Sequence, residues 1–342
     1  MLYPAPLTQG STIAITAFSS GVPAPLHARL DLVLRDLRTR GFEVLEGQCL
    51  RDNQQYVSAP RDMRLKELMQ FLQDDNIDAI MAPWGGEIAM DLLPELDWAS
   101  LHNAKPKWLL GFSDISTLLT AISSKLGWAT CHCTNLMQLS LNQSDPLTSS
   151  VFDFLRLPKG SRFEQSSAKY FEATYADYAV DPTAQFNLTE PVRWKLLNKK
   201  SVLSESVEFS GRLIGGCLDI HVMLYGSEYF KPELHIDGPY IFYFENAELK
   251  PTQYYRALQG LKLQGAFKNA AGILIGRNAV PDESGAPLSS IEALEMALGE
   301  VSIPVIYDVD ISHLAPNLTL VNGAYANITL DNHVATVSQS LI

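Results

Sequence analysis

Lys107-Trp108-Leu109-Leu110-Gly111-Phe112-Ser113-Asp114-Ile115-Ser116-Thr117-Leu118-Leu119-Thr120-Ala121-Ile122 is the stretch whose reading decides the fold. Its first half is short, apolar and bounded by Pro106, which reads as a buried strand. Its second half is apolar at helical spacing and closes at Gly127, a residue suited to a helix C-terminus. Ser113 stands at the strand-to-helix turn between them. A hydroxyl there is lifted off the sheet edge, at the positive end of a helix where a developing oxyanion is stabilised. This is the geometry of a nucleophile elbow, although Gly-x-Ser-x-Gly is not spelled out and Asp114 follows the serine. A Ser-Asp pair before an apolar helix is more commonly an N-cap. A catalytic role requires a base and an orienting acid elsewhere in the chain.

Working outward, the first 135 or so residues alternate between strand and helix patterns. Thr12 to Phe18, Phe42 to Leu45, Ala79 to Ala82 and Lys107 to Phe112 read as strands; His27 to Arg40, Arg61 to Asp75 and Ile88 to Leu93 read as helices. This alternation predicts an α/β fold with a mostly parallel sheet covered on both faces, whose ligands bind beyond the carboxyl ends of the strands. Ser19-Ser20-Gly21, Trp84-Gly85-Gly86-Glu87 and Ser113-Asp114 would then converge at one sheet edge. From Leu157 to Pro191 the periodicity fades, which reads as a long connection. A second body starts near Val207. It holds the β-prone run Tyr240–Phe244 ending in Glu245, a helix opened by Pro251 and a strand over Ala271 to Ile275. A helix over Ser290 to Leu298 follows, then a strand from Pro304 to Tyr307. The expected division is residues 1–156, a connection over 157–206, and 207–342.

The chain has 342 residues, 46% hydrophobic and 19% charged, with a formal net charge of −12. No basic run is longer than Lys199-Lys200, so nucleic acid and anionic membranes are poor partners. No secretory signal and no apolar run near the roughly 20 residues of a membrane span is visible, which predicts a cytoplasmic protein. Cys131 and Cys133 flank His132, but one Cys-x-Cys without a second pair is a weak metal signal. Together with Cys49 and Cys217 they read as buried free thiols, and no metal or cofactor is expected.

Ser113, Glu245 and His313 share one local feature: each follows an apolar strand. A serine hydrolase needs an alcohol activated by an imidazole, and a carboxylate to fix the imidazole's tautomer. These three could supply the parts, with Asp308 and Asp310 competing as the orienting acid. Glu245 as a surface acid and His313 as an ordinary loop histidine are the plain alternatives. Gly85-Gly86 reads either as a tight turn needing positive φ or as a backbone N–H donor to an oxyanion, paired with the N–H of Asp114. No phosphate-binding glycine loop follows a strand. A metal-dependent hydrolase using Asp308, Asp310 and His313, and a binding protein without catalysis, remain open from the residues alone.

Trp84-Gly85-Gly86-Glu87, Leu92-Leu93-Pro94-Glu95-Leu96-Asp97 and Lys107 through Ser116 occur in order with Thr134-Asn135-Leu136-Met137 and Gly211-Arg212-Leu213-Ile214-Gly215-Gly216. Phe244-Glu245-Asn246-Ala247-Glu248, then Ser312-His313 with Pro316-Asn317 and Asn322-Gly323, complete the series. In this order and spacing they resemble the LD-carboxypeptidase family of serine peptidases over nearly the whole chain, excepting the connection. The resemblance implies an N-terminal amidotransferase-like parallel-sheet domain and a C-terminal swivelling β/α domain, with the site in the cleft between them. It implies a Ser113–His313–Glu245 triad and an oxyanion hole from the N–H groups of Gly86 and Asp114. It also implies a cytoplasmic homodimer.

Two family branches bear on the substrate. One cleaves the L,D-peptide bond of murein tetrapeptides; the other, the microcin C immunity peptidases, cleaves an amide joining an amino acid or peptide to a modified nucleotide. Trp84-Gly85-Gly86-Glu87 replaces the first branch's Arg-Gly-Gly-Tyr-Gly. The long connection with Arg193-Trp194 is more like the second, where an aromatic in this region stacks on the nucleobase. Trp84, Glu87, Arg193, Trp194 and Arg212 are therefore the expected substrate-binding positions. Trp194 as a packing residue is the alternative. A fixed cation or N–H cluster near Ser113 is expected, with Arg193, Arg212 and Arg256 as the candidate cations.

Overall fold

A computed structural model describes residues 1–143, 145–197, 206–331 and 334–342; Lys199-Lys200 lies outside them. Five strands in the first part of the chain, β1 (Thr12–Ile15), β2 (Glu43–Glu46), β3 (Ala79–Met81), β4 (Trp108–Gly111) and β5 (Cys131–His132), form one sheet in the order β5-β4-β3-β1-β2, all parallel. β3 and β4 are buried at every position, as central strands covered on both faces must be. The helices His27–Thr39, Arg61–Gln73 and Ser116–Leu126 cover the faces. The last ends at Gly127, whose φ of +68° supplies the left-handed cap.

The later strands are β6 (Arg162–Ser166), β7 (Tyr170–Glu172), β8 (Leu188–Pro191), β9 (Lys195–Leu196), β10 (Val207–Cys217), β11 (Tyr240–Glu245), β12 (Ala270–Gly276), β13 (Val305–Val309), β14 (Leu320–Val321), β15 (Tyr325–Asp331) and β16 (Val334–Ser340). Eight of them make a second sheet in the order β6-β16-β15-β10-β11-β12-β13-β9. Its centre, β10 to β13, is parallel, and antiparallel strands complete both edges. The segment read as a connection is not a plain linker: β6 and β9 are the two edge strands of this sheet, and β7 and β8 pair as a separate ribbon. β14 pairs with β5, so a strand from the C-terminal part of the chain closes the first sheet.

Helix Ser116–Leu126 is the joint between the sheets. Ile115, Leu118, Leu119 and Ile122 share one apolar cluster with Ile80 and Leu109 on one side and Ile214, Phe242 and Phe244 on the other. Two polar contacts fix the alignment within this apolar joint. Ser116 Oγ accepts from the Cys217 N–H at 3.0 Å, and Thr120 Oγ1 meets His221 Nε2 at 3.2 Å. Cys217 is the register partner of Glu245. The helix that starts beside Ser113 is thus tied to the strand ends that carry Glu245.

Candidate active site

Ser113 leaves β4 with φ +69°, a left-handed conformation that costs a side-chain-bearing residue energy and is common where a nucleophile must be presented. The preceding turn is held by Asn135, whose Oδ1 accepts from the Phe112 N–H at 3.0 Å. Gly85 explains why a glycine faces the elbow: a methyl there would lie 2.6 Å from both Cβ and Oγ of Ser113. The three polar turns do converge. Asp114, buried, accepts from Ser19 Oγ at 2.6 Å, from the Ala89 N–H at 2.9 Å and from Thr117 Oγ1 at 3.0 Å. Ser20 N–H donates to Gly85 O at 3.2 Å. The Asp114 carboxylate is thus a structural anchor between the turns, a wider role than the helix N-cap that the sequence suggested for the Ser-Asp pair.

His313 bridges the two sheets. Its Nε2 lies 3.0 Å from Ser113 Oγ and its Nδ1 lies 2.7 Å from Glu245 Oε2. Glu245 ends β11 and is fully buried; the His313 side chain is 23% exposed. Burial favours the neutral form of both groups, but their mutual charge and hydrogen bond more than offset it. The imidazole is raised above its ordinary value, with Asp219 and Glu248 adding to the effect, and the carboxyl is lowered. Phe112 packs edge-on against His313, with ring centres 5.0 Å apart.

The competing acids are engaged elsewhere. Asp310 accepts from Arg277 Nη1 at 2.9 Å, Trp194 Nε1 at 3.0 Å and the Ala168 N–H at 2.9 Å. Asp308 pairs with Lys195 at 2.7 Å. Arg277 also donates to the carbonyls of Leu314 and Pro316, at 3.0 and 3.3 Å, and so braces the loop that carries His313. Arg277 follows an apolar strand, the same signal that singled out Glu245, but it was not read from the sequence.

A cleft of about 190 Å3 opens on Ser113 and His313, lined by Trp84, Phe112, Asn135, Gln138, Tyr175 and Tyr178 among others. Trp84 therefore lines the cleft. Trp194 does not: it is 0% exposed, packed among Leu213, Tyr243 and Ile306, and bonded to Asp310, so its indole is a core residue. Arg212 is turned away too, donating to the carbonyls of Gly323 and Ile342 at 2.9 Å each. Glu87, Arg193 and Arg256 are exposed and do not line the cleft. Of the expected cation or N–H cluster, the cation does not line the cleft: among the described residues no Lys or Arg contributes to it.

His132 is buried between Phe112 and Tyr243, and burial pushes its pKa down to about 4, so it stays neutral. Cys49, Cys131, Cys133 and Cys217 are buried free thiols. Among the described residues no three His, Cys, Asp or Glu side chains gather to hold a metal, and no helix is long and apolar enough to cross a membrane.

Residues 13–133 match the LD-carboxypeptidase N-terminal domain and residues 210–328 the LD-carboxypeptidase C-terminal domain; the chain belongs to this family and is a serine-type carboxypeptidase, a hydrolase. It is 28% identical over 345 residues to the microcin C7 self-immunity protein MccF of Escherichia coli, covering 100% of this chain and 97% of that one. The solved structure of MccF with aspartyl sulfamoyl adenosine superposes with a TM-score of 0.84 at 25% identity, covering 100% of both chains. A muramoyltetrapeptide carboxypeptidase from Oxalobacter formigenes shares the fold, with a TM-score of 0.71 at 19% identity over 96% of this chain and 99% of that one.

Proposed function

We propose that Ser113 is the nucleophile of an amide hydrolase, His313 its base and Glu245 the acid that orients the imidazole. The observation that carries this reading is His313 spanning 3.0 Å to Ser113 Oγ and 2.7 Å to a buried carboxylate. Ser113 Oγ attacks the substrate carbonyl as His313 Nε2 takes its proton. Glu245 stabilises the imidazolium that results. The tetrahedral oxyanion is held by the N–H groups of Gly86 and Asp114; that of Gly86 has no acceptor among the described residues. His313 then gives the proton to the departing amine, leaving an acyl ester on Ser113. Water attacks the ester with His313 again as base, and the acid product leaves. The nucleophile comes from the body over 1–156 and the other two groups from that over 207–342.

The substrate is either an amino acid or peptide joined by an amide to a nucleotide, or a murein L,D-tetrapeptide. The cleft favours the first. Its walls are aromatic at Trp84, Phe112, Tyr175 and Tyr178. Flat rings suit a nucleobase, for which stacking contributes about 1–3 kcal/mol. Comparing kcat/KM for an aminoacyl sulfamoyl adenosine and an L,D-tetrapeptide tests this. A preference of about a hundredfold for the tetrapeptide, roughly 2.7 kcal/mol, refutes it. The same family reading carries a cytoplasmic homodimer, which light scattering and cell fractionation test.

A further inference from the structure

Arg29 is 0% exposed, lies on the helix His27–Thr39, and has no part in the chemistry above. Its Nε donates to Met137 O at 2.8 Å, and its Nη1 donates to Pro182 O at 2.9 Å and Ala184 O at 3.1 Å. The guanidinium carbon stands 4.0 Å from the centre of the Tyr178 ring. None of these hydrogen-bond partners is a carboxylate. Taking a charge out of water is expensive, so filling this space with an arginine calls for a compensating task.

That task is visible in what the four contacts hold. Met137 and Tyr178 both line the cleft beside Ser113. Residues 173–187, which carry Tyr175 and Tyr178, contain no helix or strand, so no ladder fixes their course. Tyr175 and Val180 are 60% and 81% exposed, and few apolar contacts hold this strap down. Beyond its own turns it is tied by Phe186 N–H to Gln143 Oε1 at 2.9 Å and by Asn187 N–H to Glu172 Oε2 at 3.3 Å, both at its far end. Over Tyr178 to Ala184 the fork of Arg29 supplies two backbone bonds and one ring face.

We propose that Arg29 is a positioning residue for substrate recognition: it holds the Tyr175–Ala184 strap as the aromatic wall of the cleft without touching the reacting atoms. The proposal rests on the reading of the Ser113 cleft as the substrate site. Removing the fork frees the strap, and ordering it again on binding weakens affinity while the Ser113–His313–Glu245 geometry stays intact.

The test uses the full chain and whichever of the two substrates above it turns over. Arg29→Met should raise KM about tenfold or more with kcat within about twofold. Labelling of Ser113 by a small fluorophosphonate, which does not reach the strap, should keep its rate. Tyr178→Ala should raise KM similarly, and the double variant Arg29→Met/Tyr178→Ala should be no worse than Tyr178→Ala. Unchanged KM, equal losses in kcat and kcat/KM, or additive losses overturn the proposal. If Arg29→Met does not fold, Tyr178→Ala decides, and an unchanged KM there overturns it. Full turnover by Ser113→Ala, or no turnover of either substrate by the unaltered protein, overturns the site reading and this proposal together. An inactive Ser113→Ala beside unaltered KM in the Arg29 and Tyr178 variants overturns this proposal alone.

Discussion

Exchanging Glu245 for glutamine removes a charge and almost no volume from a position that is fully buried and bonded to His313 Nδ1 at 2.7 Å. In the proposed transition state that imidazole is positively charged. Two unit charges about 4 Å apart attract by about 4 kcal/mol at an effective dielectric of about 20. At about 1.36 kcal/mol per decade, losing this costs kcat about a thousandfold. The glutamine amide can also donate to Nδ1, leaving the proton on Nε2 where Ser113 needs an acceptor; loss of the correct tautomer brings the expected fall to about 10^3–10^4-fold.

The pH profile gives a second, independent reading of the same change. Burial lowers the proton affinity of His313, but the Glu245 charge and hydrogen bond more than offset it, so its pKa stands above 6.5. A base must be neutral to accept the serine proton, so kcat/KM should climb as pH rises through that raised value. Glutamine removes the offset and leaves the burial, so the acid limb should move to lower pH. Steady-state kinetics across the acid limb, with near-ultraviolet circular dichroism to verify folding, measures both effects. A loss of less than about tenfold, or a limb that stays or moves upward, refutes the assignment.

Three further outcomes are expected. Ser113→Ala and His313→Ala should each reduce kcat by orders of magnitude, and the double variant should be little worse, because members of such a unit are not additive; additive losses in kcat refute the shared role. Trp194→Ala should act on stability rather than on KM. Emptying a fully buried indole site typically costs about 3–5 kcal/mol, read from denaturant midpoints, and a raised KM with unchanged stability would refute the core placement. Glu172, 2% exposed, has its pKa raised by burial to about 7. A carboxyl whose folded pKa exceeds its unfolded value costs stability as pH rises from the unfolded value through the folded one. Glu172→Gln should therefore raise the melting temperature in mild alkali and change it little in mild acid; the reverse order refutes the burial assignment.

Much of the site was legible because its central residues stand at or just beyond strand ends. Ser113 follows β4 and Glu245 closes β11, both buried along their length; His313 comes four residues after β13, whose Tyr307 and Asp308 are half-buried, so its signal is weaker. Helix bounds were legible too: Pro251 opens one helix, and Ser290–Leu298 falls where its periodicity placed it. What could not be read were pairings without a local signature. Arg193-Trp194 lies in a stretch with no clear period, so nothing in the sequence says whether its indole meets a ligand or the core. Only the pairing of β9 with β13, and Asp310 at 3.0 Å, decide for the core.

The linear pattern of apolar and polar residues by itself determined β1 to β4, β11 to β13, the longer helices and the strand ends at which chemistry could sit, but not β5 to β10, because burial imposes a period of two or of 3.6 only where a run is long and regular. It determined the elbow at Ser113, but not its φ of +69°. Tertiary structure alone decided which strand ends meet: that Glu245 rather than Asp308 or Asp310 reaches His313, that β14 closes the first sheet, and that Arg29 backs the cleft. The residues in these contacts stand 68, 188 and 108 positions apart or more, and separations of that order carry no periodic signal. They are set by sheet order and by the packing of helix Ser116–Leu126 between two sheets, where an apolar joint and the Ser116–Cys217 bond hold one strand end against another.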